Sequence, residues 1–173
     1  PAQVFVTYLQ DVVITAKPSG TLFEPALETI AGIGPALIIA GGRSAAKVAD
    51  LSKVAPTIDM TLDGTKLDTE ALARIDAYGK LFGKEAEAAK LSQDLRDRIE
   101  AAKKATEGKG NALVVLTNGP KVSVYGPGSR FGWVHSVVGV PPAVKDITVS
   151  GHGEAVSFEF IRNANPDWLI VVD

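Results

Sequence analysis

The most regular alternation of apolar and polar positions spans residues 84–106. Apolar residues recur there at steps of three and four, which is the spacing of one face of an α-helix. They are Ala88, Leu91, Leu95, Ile99 and Ala102. Asp94 with Arg98, and Glu100 with Lys104, add acid–base pairs four residues apart. We predict one helix of roughly 33 Å, since each residue adds 1.5 Å. A surface helix on its own domain would show the same stripe, but the flanking sequence favours a helix that joins two halves.

Continuous apolar runs alternate with helical patterns along the rest of the chain, which is typical of an α/β protein with buried parallel strands. Strands are predicted at 36–40, 57–62, 112–116, 121–125 and 168–172. Further helices are predicted at 24–33, 45–54, 68–82, 131–138 and 156–163. The resulting prediction is an α/β fold with mainly parallel sheets. It has an N-terminal lobe at 1–83, a connecting helix at 84–106 and a C-terminal lobe at 107–173.

The two halves share a pattern around one acidic residue each. Glu28 and Glu159 are each followed by isoleucine two residues later, by four further residues, and then by Pro35 or Pro166. An apolar run follows each proline. A short helix, a proline that ends it and a buried strand would produce this pattern twice. The repetition predicts two similar lobes.

Composition excludes several classes of function. The 173 residues are 46% hydrophobic and 22% charged, as in an ordinary globular protein with a real core. The net charge of −2, with no basic cluster interleaved with aromatics, gives no indication of a nucleic-acid partner. No apolar run approaches the roughly 18 residues of a membrane span. The absence of cysteine excludes disulfides, thiolate metal sites and a cysteine nucleophile.

Two arginines stand out by their position in glycine-rich loops. Arg43 follows the strand predicted at 36–40, and Arg130 lies in the loop after the strand predicted at 121–125. Ligands of open α/β sheets bind beyond the carboxyl ends of strands. Guanidinium groups there suit an anionic or planar aromatic ligand, through forked hydrogen bonds or stacking. The alternative for each arginine is a surface side chain that caps nearby carbonyls.

Few other residues suggest chemistry. His152 lies between two glycines, which would leave its imidazole accessible as a metal ligand, although a lone histidine is often incidental. We interpret His135, inside a predicted helix, as a packing or solvent-facing residue. The glycine-rich segment 126–132 has the wrong spacing for a dinucleotide fingerprint. Missing nucleophile and phosphate-loop motifs also make an α/β enzyme an unfavoured alternative.

Two aromatic and two acidic residues have alternative roles. Tyr125 and Trp133 are weaker candidates for a ligand pocket, and packing is the alternative for both. Glu28 and Glu159 would each complement the positive end of a helix dipole. Their symmetric placement suits equally well a two-fold partner with basic sockets.

Segments in both halves resemble one family. The first half has Gly-Thr-Leu-Phe-Glu-Pro at 20–25 and Leu-Ile-Ile-Ala-Gly-Gly-Arg at 37–43. The second half has Gly-Pro-Gly-Ser-Arg-Phe-Gly at 126–132, Gly-His-Gly at 151–153 and the stretch 159–173. These segments, in this order, are similar to the siderophore-binding proteins of ABC-type iron importers, especially the ferric-anguibactin and ferric-catecholate binders. The resemblance implies the class III periplasmic binding protein fold, with two α/β lobes, one rigid helix and a shallow cleft between the lobes.

The resemblance also implies roles for residues. Arg43 and Arg130 match arginines that neutralise an anionic ferric catecholate. His152 matches a histidine that coordinates iron when a four-donor siderophore leaves two positions open. Glu28 and Glu159 match acids at the lobe tops that meet arginines of the membrane permease. The implied protein is not an enzyme, has no catalytic cofactor, and is periplasmic or lipid-anchored outside the cytoplasmic membrane.

The chain departs from the family at both ends. Family members have a strand–helix unit ahead of Pro1 and continue past Asp173, where a further cleft arginine and an iron-binding tyrosine are expected. We therefore expect these 173 residues to be a fragment truncated at both ends. The alternative function is a related binding protein for haem, cobalamin or a metal ion.

Overall fold

The fold is described from a computed structural model, which covers residues 14–148 and 153–173. The chain divides into two compact units, Pro1–Thr61 and Leu62–Asp173. Each unit has its own cluster of buried apolar side chains. The predicted lobes at 1–83 and 107–173, around a helix at 84–106, stay a prediction. None of the helices within the described residues is both long and apolar enough to cross a bilayer.

The first unit packs short helices on two short parallel strands. Its elements are α1 (Leu27–Ile33), β1 (Ile38–Ala40), a 3₁₀ helix (Gly42–Lys47), α2 (Val48–Leu51) and β2 (Thr57–Asp59). Ile38 lies opposite Thr57. Ile30, Ala40 and Leu51 form the buried core of the unit.

The helix predicted at 45–54 is shorter in the structure and begins as a 3₁₀ turn. The Ser44 hydroxyl accepts a hydrogen bond from the Gly41 N–H at 3.1 Å and donates one to the Gly41 carbonyl at 3.0 Å. Such local bonds of a serine compete with the α-helical pattern. The α-helix therefore begins only at Val48.

The second unit begins with a 3₁₀ turn (Gly64–Lys66) and a pair of antiparallel helices. These are α3 (Leu67–Phe82) and α4 (Glu85–Thr106), within a residue of the predicted bounds. The buried Ser92 hydroxyl donates to Asp76 across the pair at 3.3 Å. Within the predicted apolar stripe, Leu91 is 55% exposed, whereas the adjacent Ser92 is buried.

A four-stranded mixed sheet forms the core of the second unit. Its strands are β3 (Ala112–Asn118), β4 (Lys121–Tyr125), β5 (Glu154–Val156) and β6 (Trp168–Val172), with α5 (Trp133–Ser136) and α6 (Phe158–Ala164) between them. The strand order is β5-β4-β3-β6. β3 is parallel to β6, whereas β3–β4 and β4–β5 are antiparallel. The α/β class is confirmed, but this sheet is mixed rather than mainly parallel.

The direction of β4 follows from a two-residue turn. Asn118 and Lys121 are paired, so only Gly119 and Pro120 connect the strands, and Gly119 has a φ of 57°. A two-residue connection can join only antiparallel neighbours. β5 was missed because the sequence predicted a helix from Val156; the helix begins at Phe158, with the Ser157 hydroxyl accepting from the Phe160 N–H.

The repeated sequence pattern corresponds to a repeated structure. α1 ends at Gly34 and α6 ends at Asn165, both left-handed, with φ of 65° and 41°. A proline and then a strand follow each of them. A left-handed residue ends a helix by bonding its last carbonyls, and the following proline prevents its continuation. Glu28 and Glu159 consequently occupy the same position, the second residue of their helices.

Candidate ligand-binding site

The loop that carries Arg43 is fixed by hydrogen bonds at its start. The Gly42 N–H donates to the Thr61 hydroxyl at 2.9 Å, and this hydroxyl donates to Asp59 at the end of β2. These bonds tie the loop after β1 to the segment after β2. Arg43 itself is exposed, and within the described residues it has no ion-pair partner.

The ring of Phe23 lies beneath the Arg43 guanidinium. The guanidinium carbon is 5.6 Å from the ring centroid, within the range of a cation–π contact. Phe23 projects from a tight turn in which the Thr21 N–H donates to the Glu24 carbonyl at 3.0 Å. The Thr21 hydroxyl also accepts from the Glu24 N–H at 3.0 Å. The turn holds Phe23 outside the core, with 60% of the residue exposed.

The loop that carries Arg130 is closed by hydrogen bonds within the loop. The buried Ser129 hydroxyl donates to the Gly126 carbonyl at 2.5 Å, and the Gly132 N–H donates to the Ser129 carbonyl at 2.9 Å. Arg130 is exposed, and its guanidinium carbon lies 5.0 Å from the centroid of the Phe131 ring. Like Arg43, Arg130 has no ion-pair partner in the part of the chain that is described.

The loop that carries Arg130 does not follow a strand of a parallel pair, as the sequence-based prediction assumes. β4 runs antiparallel to β3, so the loop after β4 lies at the opposite end of the sheet from the carboxyl ends of β3 and β6. The rule for parallel sheets therefore applies to the loop after β1 and not to this one. A ligand-binding role of Arg130 is instead supported by its exposure, by the lack of an ion-pair partner among the described residues, and by its contact with Phe131.

Tyr125 and Trp133 have different surroundings. Tyr125 is only 1% exposed and packs edge-on against Phe131, with ring centroids 4.8 Å apart. This placement favours the packing alternative for Tyr125. Trp133 is 39% exposed and lies at the wall of an apolar cavity of about 420 Å³ between α3, α4 and the segment around α5.

His152 lies outside the described residues, so its role as an iron ligand stays a prediction. The described residue that follows it, Gly153, is packed against the ring of Tyr125. His135 is buried, and its Nδ1 donates to the Val140 carbonyl at 2.8 Å, which agrees with a packing role. Within the described residues no three histidine or carboxylate side chains are grouped as a metal site.

The two acids of the repeat are both accessible. Glu28 and Glu159 are exposed in the first turns of α1 and α6. Glu159 is 3.8 Å from Arg162, but both side chains are more than 70% exposed, so this pair contributes little. The placement suits both alternatives, the helix dipole and a basic partner.

Comparison with known proteins identifies the group to which this fold belongs. Residues 2–173 match the family described as periplasmic binding protein. The chain belongs to the periplasmic binding protein family. Members of this family are substrate-binding proteins, not enzymes.

Two individual periplasmic binding proteins are similar to this chain in sequence. The chain is 37% identical over 158 residues to the petrobactin-binding protein YclQ of Bacillus subtilis, covering 89% of this chain and 49% of the relative. It is 34% identical over 160 residues to the ferric-anguibactin-binding protein FatB of Vibrio anguillarum, with the same coverage. The chain thus spans about half the length of the curated relatives it matches.

Solved structures of periplasmic binding proteins are also similar to this chain. The crystal structure of Bacillus subtilis YclQ matches with a TM-score of 0.90 and 36% identity, over 100% of this chain and 61% of that chain. The catecholate-siderophore binding protein VctP of Vibrio cholerae matches with a TM-score of 0.80 and 30% identity, over 94% and 61%. The resemblance noted from the sequence is therefore confirmed. The named ligands of these homologues are petrobactin, ferric anguibactin and a catecholate siderophore.

Phe23 and Phe131, whose rings contact Arg43 and Arg130, are not among the candidate ligand-binding residues predicted from the sequence. Phe131 directly follows Arg130, so an aromatic neighbour was visible in the sequence. Phe23 lies 20 residues before Arg43, and no local pattern connects the two.

Proposed function

We propose that this protein is the substrate-binding component of an ABC transporter that captures a ferric siderophore of catecholate type. The observation that carries the proposal is the pair of exposed arginines, Arg43 and Arg130. Each is free of carboxylate partners within the described residues, and each lies over an aromatic ring. The siderophore ligands of the homologous proteins support the same conclusion.

The charge of a ferric catecholate fits guanidinium recognition. A fully deprotonated catechol carries two negative charges, so two or three catechols around one ferric ion give an anionic complex. Arginine presents a planar fork of donors that stays charged at every relevant pH. Its hydrogen bonds to the catecholate oxygens are charge-assisted, and the catechol rings can stack on the guanidinium plane. A bare metal cation would instead require carboxylate or imidazole ligands.

We further propose that His152 completes the coordination of iron. A siderophore with four donor atoms leaves two of the six iron positions open, and a neutral imidazole is a suitable ligand for one of them. Support for this role comes from the family resemblance of the Gly-His-Gly segment at 151–153.

The loaded protein is proposed to deliver its ligand to a membrane permease, outside the cytoplasmic membrane or anchored to it by a lipid. Exposed acids in equivalent positions, Glu28 and Glu159, are the proposed docking residues for arginines of the permease. Their exposure and their identical place in two repeated segments support this assignment.

A fluorescence titration tests the ligand assignment. Trp133 and Trp168 are 39% and 56% exposed, so bound ferric complexes are expected to quench them. The titration compares a ferric tetradentate catecholate, a ferric hydroxamate, haem and free ferric ion. Variants Arg43→Ala, Arg130→Ala and His152→Ala are measured alongside Arg96→Ala, which removes another exposed arginine, from α4.

We expect the catecholate to bind most tightly. Loss of one charged hydrogen-bond partner is worth about 1.5–3 kcal/mol, so each arginine substitution should weaken binding about ten- to hundredfold. Arg96→Ala should leave it unchanged. If all four variants bind the ferric catecholate as tightly as the natural protein does, the assignment of the binding site is wrong. If the natural protein binds haem or free ferric ion more tightly than the catecholate, the assignment of the ligand class is wrong.

A further inference from the structure

Arg43 and Arg130 each contact an aromatic ring, which is not needed for an arginine to carry its charge. Each guanidinium lies over a phenylalanine of its own unit, at 5.6 Å for Arg43 over Phe23 and 5.0 Å for Arg130 over Phe131. One phenylalanine is distant in sequence and the other is adjacent, so the same contact arises from two different local structures.

Phe23 is held by its turn and not by burial. Residues Gly20 and Pro25 form an antiparallel bridge, and the Ala26 N–H donates to the Ser19 carbonyl at 2.9 Å. Gly20 has a φ of 96°, and a Cβ there would lie 2.5 Å from the Glu24 carbonyl oxygen, so the turn requires glycine. A large apolar side chain is thereby kept 60% exposed next to Arg43.

Phe131 is held by the core of the second unit. Its ring packs against buried Tyr125 at an interplanar angle of 73°, the edge-to-face arrangement that aromatic pairs favour. Arg130 lies over the same Phe131 ring. Tyr125 therefore supports Arg130 through Phe131, although Tyr125 is buried itself.

We propose that Phe23 and Phe131 are positioning residues, which hold Arg43 and Arg130 ready for an anionic ligand. This inference rests on the function proposed above and adds residues to its site. A free arginine side chain must be ordered when it binds a ligand. A guanidinium already resting on a ring has lost part of that freedom, while its edge N–H groups stay available to an acceptor.

The expected size of the effect follows from this ordering. Immobilising a rotamer-rich side chain at a binding surface costs about 0.5–1.5 kcal/mol, which corresponds to roughly twofold to tenfold in affinity. Losing the ring should therefore weaken ligand binding by that factor, less than losing the arginine itself. Phe23 is the better residue to test, because it is exposed and its replacement leaves the core intact.

The experiment measures the affinity of a ferric tetradentate catecholate for the protein as expressed from its complete gene. Phe23→Leu keeps an apolar side chain but removes the ring, and Phe23→Trp keeps a ring with a stronger cation–π contact. Phe131→Tyr tests whether a ring with the same shape is tolerated in the second unit. Each Phe23 variant is also made in an Arg43→Ala background, with thermal unfolding as a check on folding.

Positioning predicts a defined pattern of affinities. Phe23→Leu should weaken binding twofold to tenfold, Phe23→Trp should restore it, and Phe131→Tyr should bind normally. In the Arg43→Ala background Phe23→Leu should have no further effect, because Phe23 acts through Arg43. An equal loss in both backgrounds would overturn the inference by showing direct contact between Phe23 and the ligand.

The inference and the proposed function can fail separately. If Arg43→Ala weakens binding but Phe23→Leu does not, the positioning role is wrong and the ligand site stands. If neither substitution changes the affinity, the assignment of Arg43 to the site is wrong, and the positioning role is wrong with it.

Discussion

At the scale of single residues, the shape of the Arg130 loop depends on Gly132, the last residue of the glycine-rich segment 126–132. Gly132 is buried, and a Cβ added to it would lie 2.7 Å from the Gly126 carbonyl oxygen and 2.7 Å from the Gly128 nitrogen. Both are backbone atoms, which a small side-chain adjustment cannot move. The close return of the chain at this point fixes where Arg130 leaves the loop.

Gly132→Ala is expected to destabilise the protein and weaken ligand binding together. The backbone must shift to admit the methyl group, and overpacking of this kind costs about 1–3 kcal/mol. Chemical denaturation measures the change in the free energy of unfolding, and a siderophore titration measures the change in affinity.

Gly32→Ala provides the matched control. Gly32 lies in α1, and a Cβ there would have no neighbour within 4 Å. Alanine is favoured over glycine in a helix by about 0.5–1 kcal/mol, so this variant should be at least as stable as the natural protein. If Gly132→Ala is as stable as Gly32→Ala, the loop tolerates a side chain and the argument is wrong.

Residue-level chemistry was only partly predictable from the sequence. Arg43 and Arg130 are predictable as candidates because a charged residue in a glycine-rich loop is recognisable from the sequence alone. The burial of Tyr125 was not visible, because it depends on which face of β4 meets the core. The contact of Arg43 with Phe23 depends on the tertiary fold of the first unit, and a turn 20 residues away carries no local sign of it.

At the scale of elements, α3 and α4 lie close together at one pair of small residues. Gly79 of α3 is buried, and a Cβ added there would lie 2.5 Å from the Cβ of Ala88 in α4. Two side chains cannot occupy this crossing together. The spacing of α3 and α4 at this crossing therefore depends on glycine at position 79.

Gly79→Ala should therefore gain none of the stability that alanine ordinarily gives to a helix. The helix preference would contribute about 1 kcal/mol of stabilisation. The overlap with Ala88 should cost about 1–3 kcal/mol, so the net change is expected to be destabilising or near zero. Chemical denaturation of the natural protein and the variant gives this value.

A double-mutant cycle isolates the contact from the helix preference. Gly79→Ala combined with Ala88→Gly moves the single methyl group from one helix to the other, and the clash disappears. The pair should show a favourable coupling energy of about 0.5–3 kcal/mol, as expected for residues in contact. Strict additivity would show that the helices separate freely and that Gly79 does not set their spacing.

Elements were predicted best where the periodicity was long. The bounds of α3 and α4 were nearly correct, because a sustained helical stripe is a strong signal. The direction of β4 was missed although Gly119 and Pro120 form a recognisable two-residue turn. β5 was missed because three residues between a loop and a helix carry no period. Because β1 and β2 are parallel while β3 and β4 are antiparallel, the rule of strand ends applies to the loop of Arg43 and not to the loop of Arg130.

At the scale of the whole molecule, the repeat gives the protein two acids in equivalent places. The α/β class and the family were predictable, because the family's motifs occur in their expected order along the chain. The chain spans about half the length of its curated relatives, so transport itself belongs to the proposals. The dipole and permease alternatives for Glu28 and Glu159 predict different results, which allows a direct test.

Charge reversal at both positions should block delivery of the ligand without affecting its capture. In Glu28→Lys and Glu159→Lys the acid that would meet a permease arginine becomes a like charge, and such juxtaposition at an interface costs several kcal/mol. We expect iron uptake by whole cells to fall at least tenfold for each variant, while the affinity for the ferric siderophore stays unchanged. Radioactive iron measures uptake, and tryptophan quenching measures affinity.

Glu85→Lys separates docking from the helix dipole. Glu85 is exposed in the first turn of α4, so its reversal removes the same dipole interaction, worth about 0.3–1 kcal/mol, at a position with no proposed partner. All three variants should lose a similar amount of stability because the dipole acts equally on each helix start. Only Glu28→Lys and Glu159→Lys should lose uptake. If Glu85→Lys impairs uptake as strongly as they do, general instability explains the defect, and the acids of the repeat serve their own helices rather than a permease.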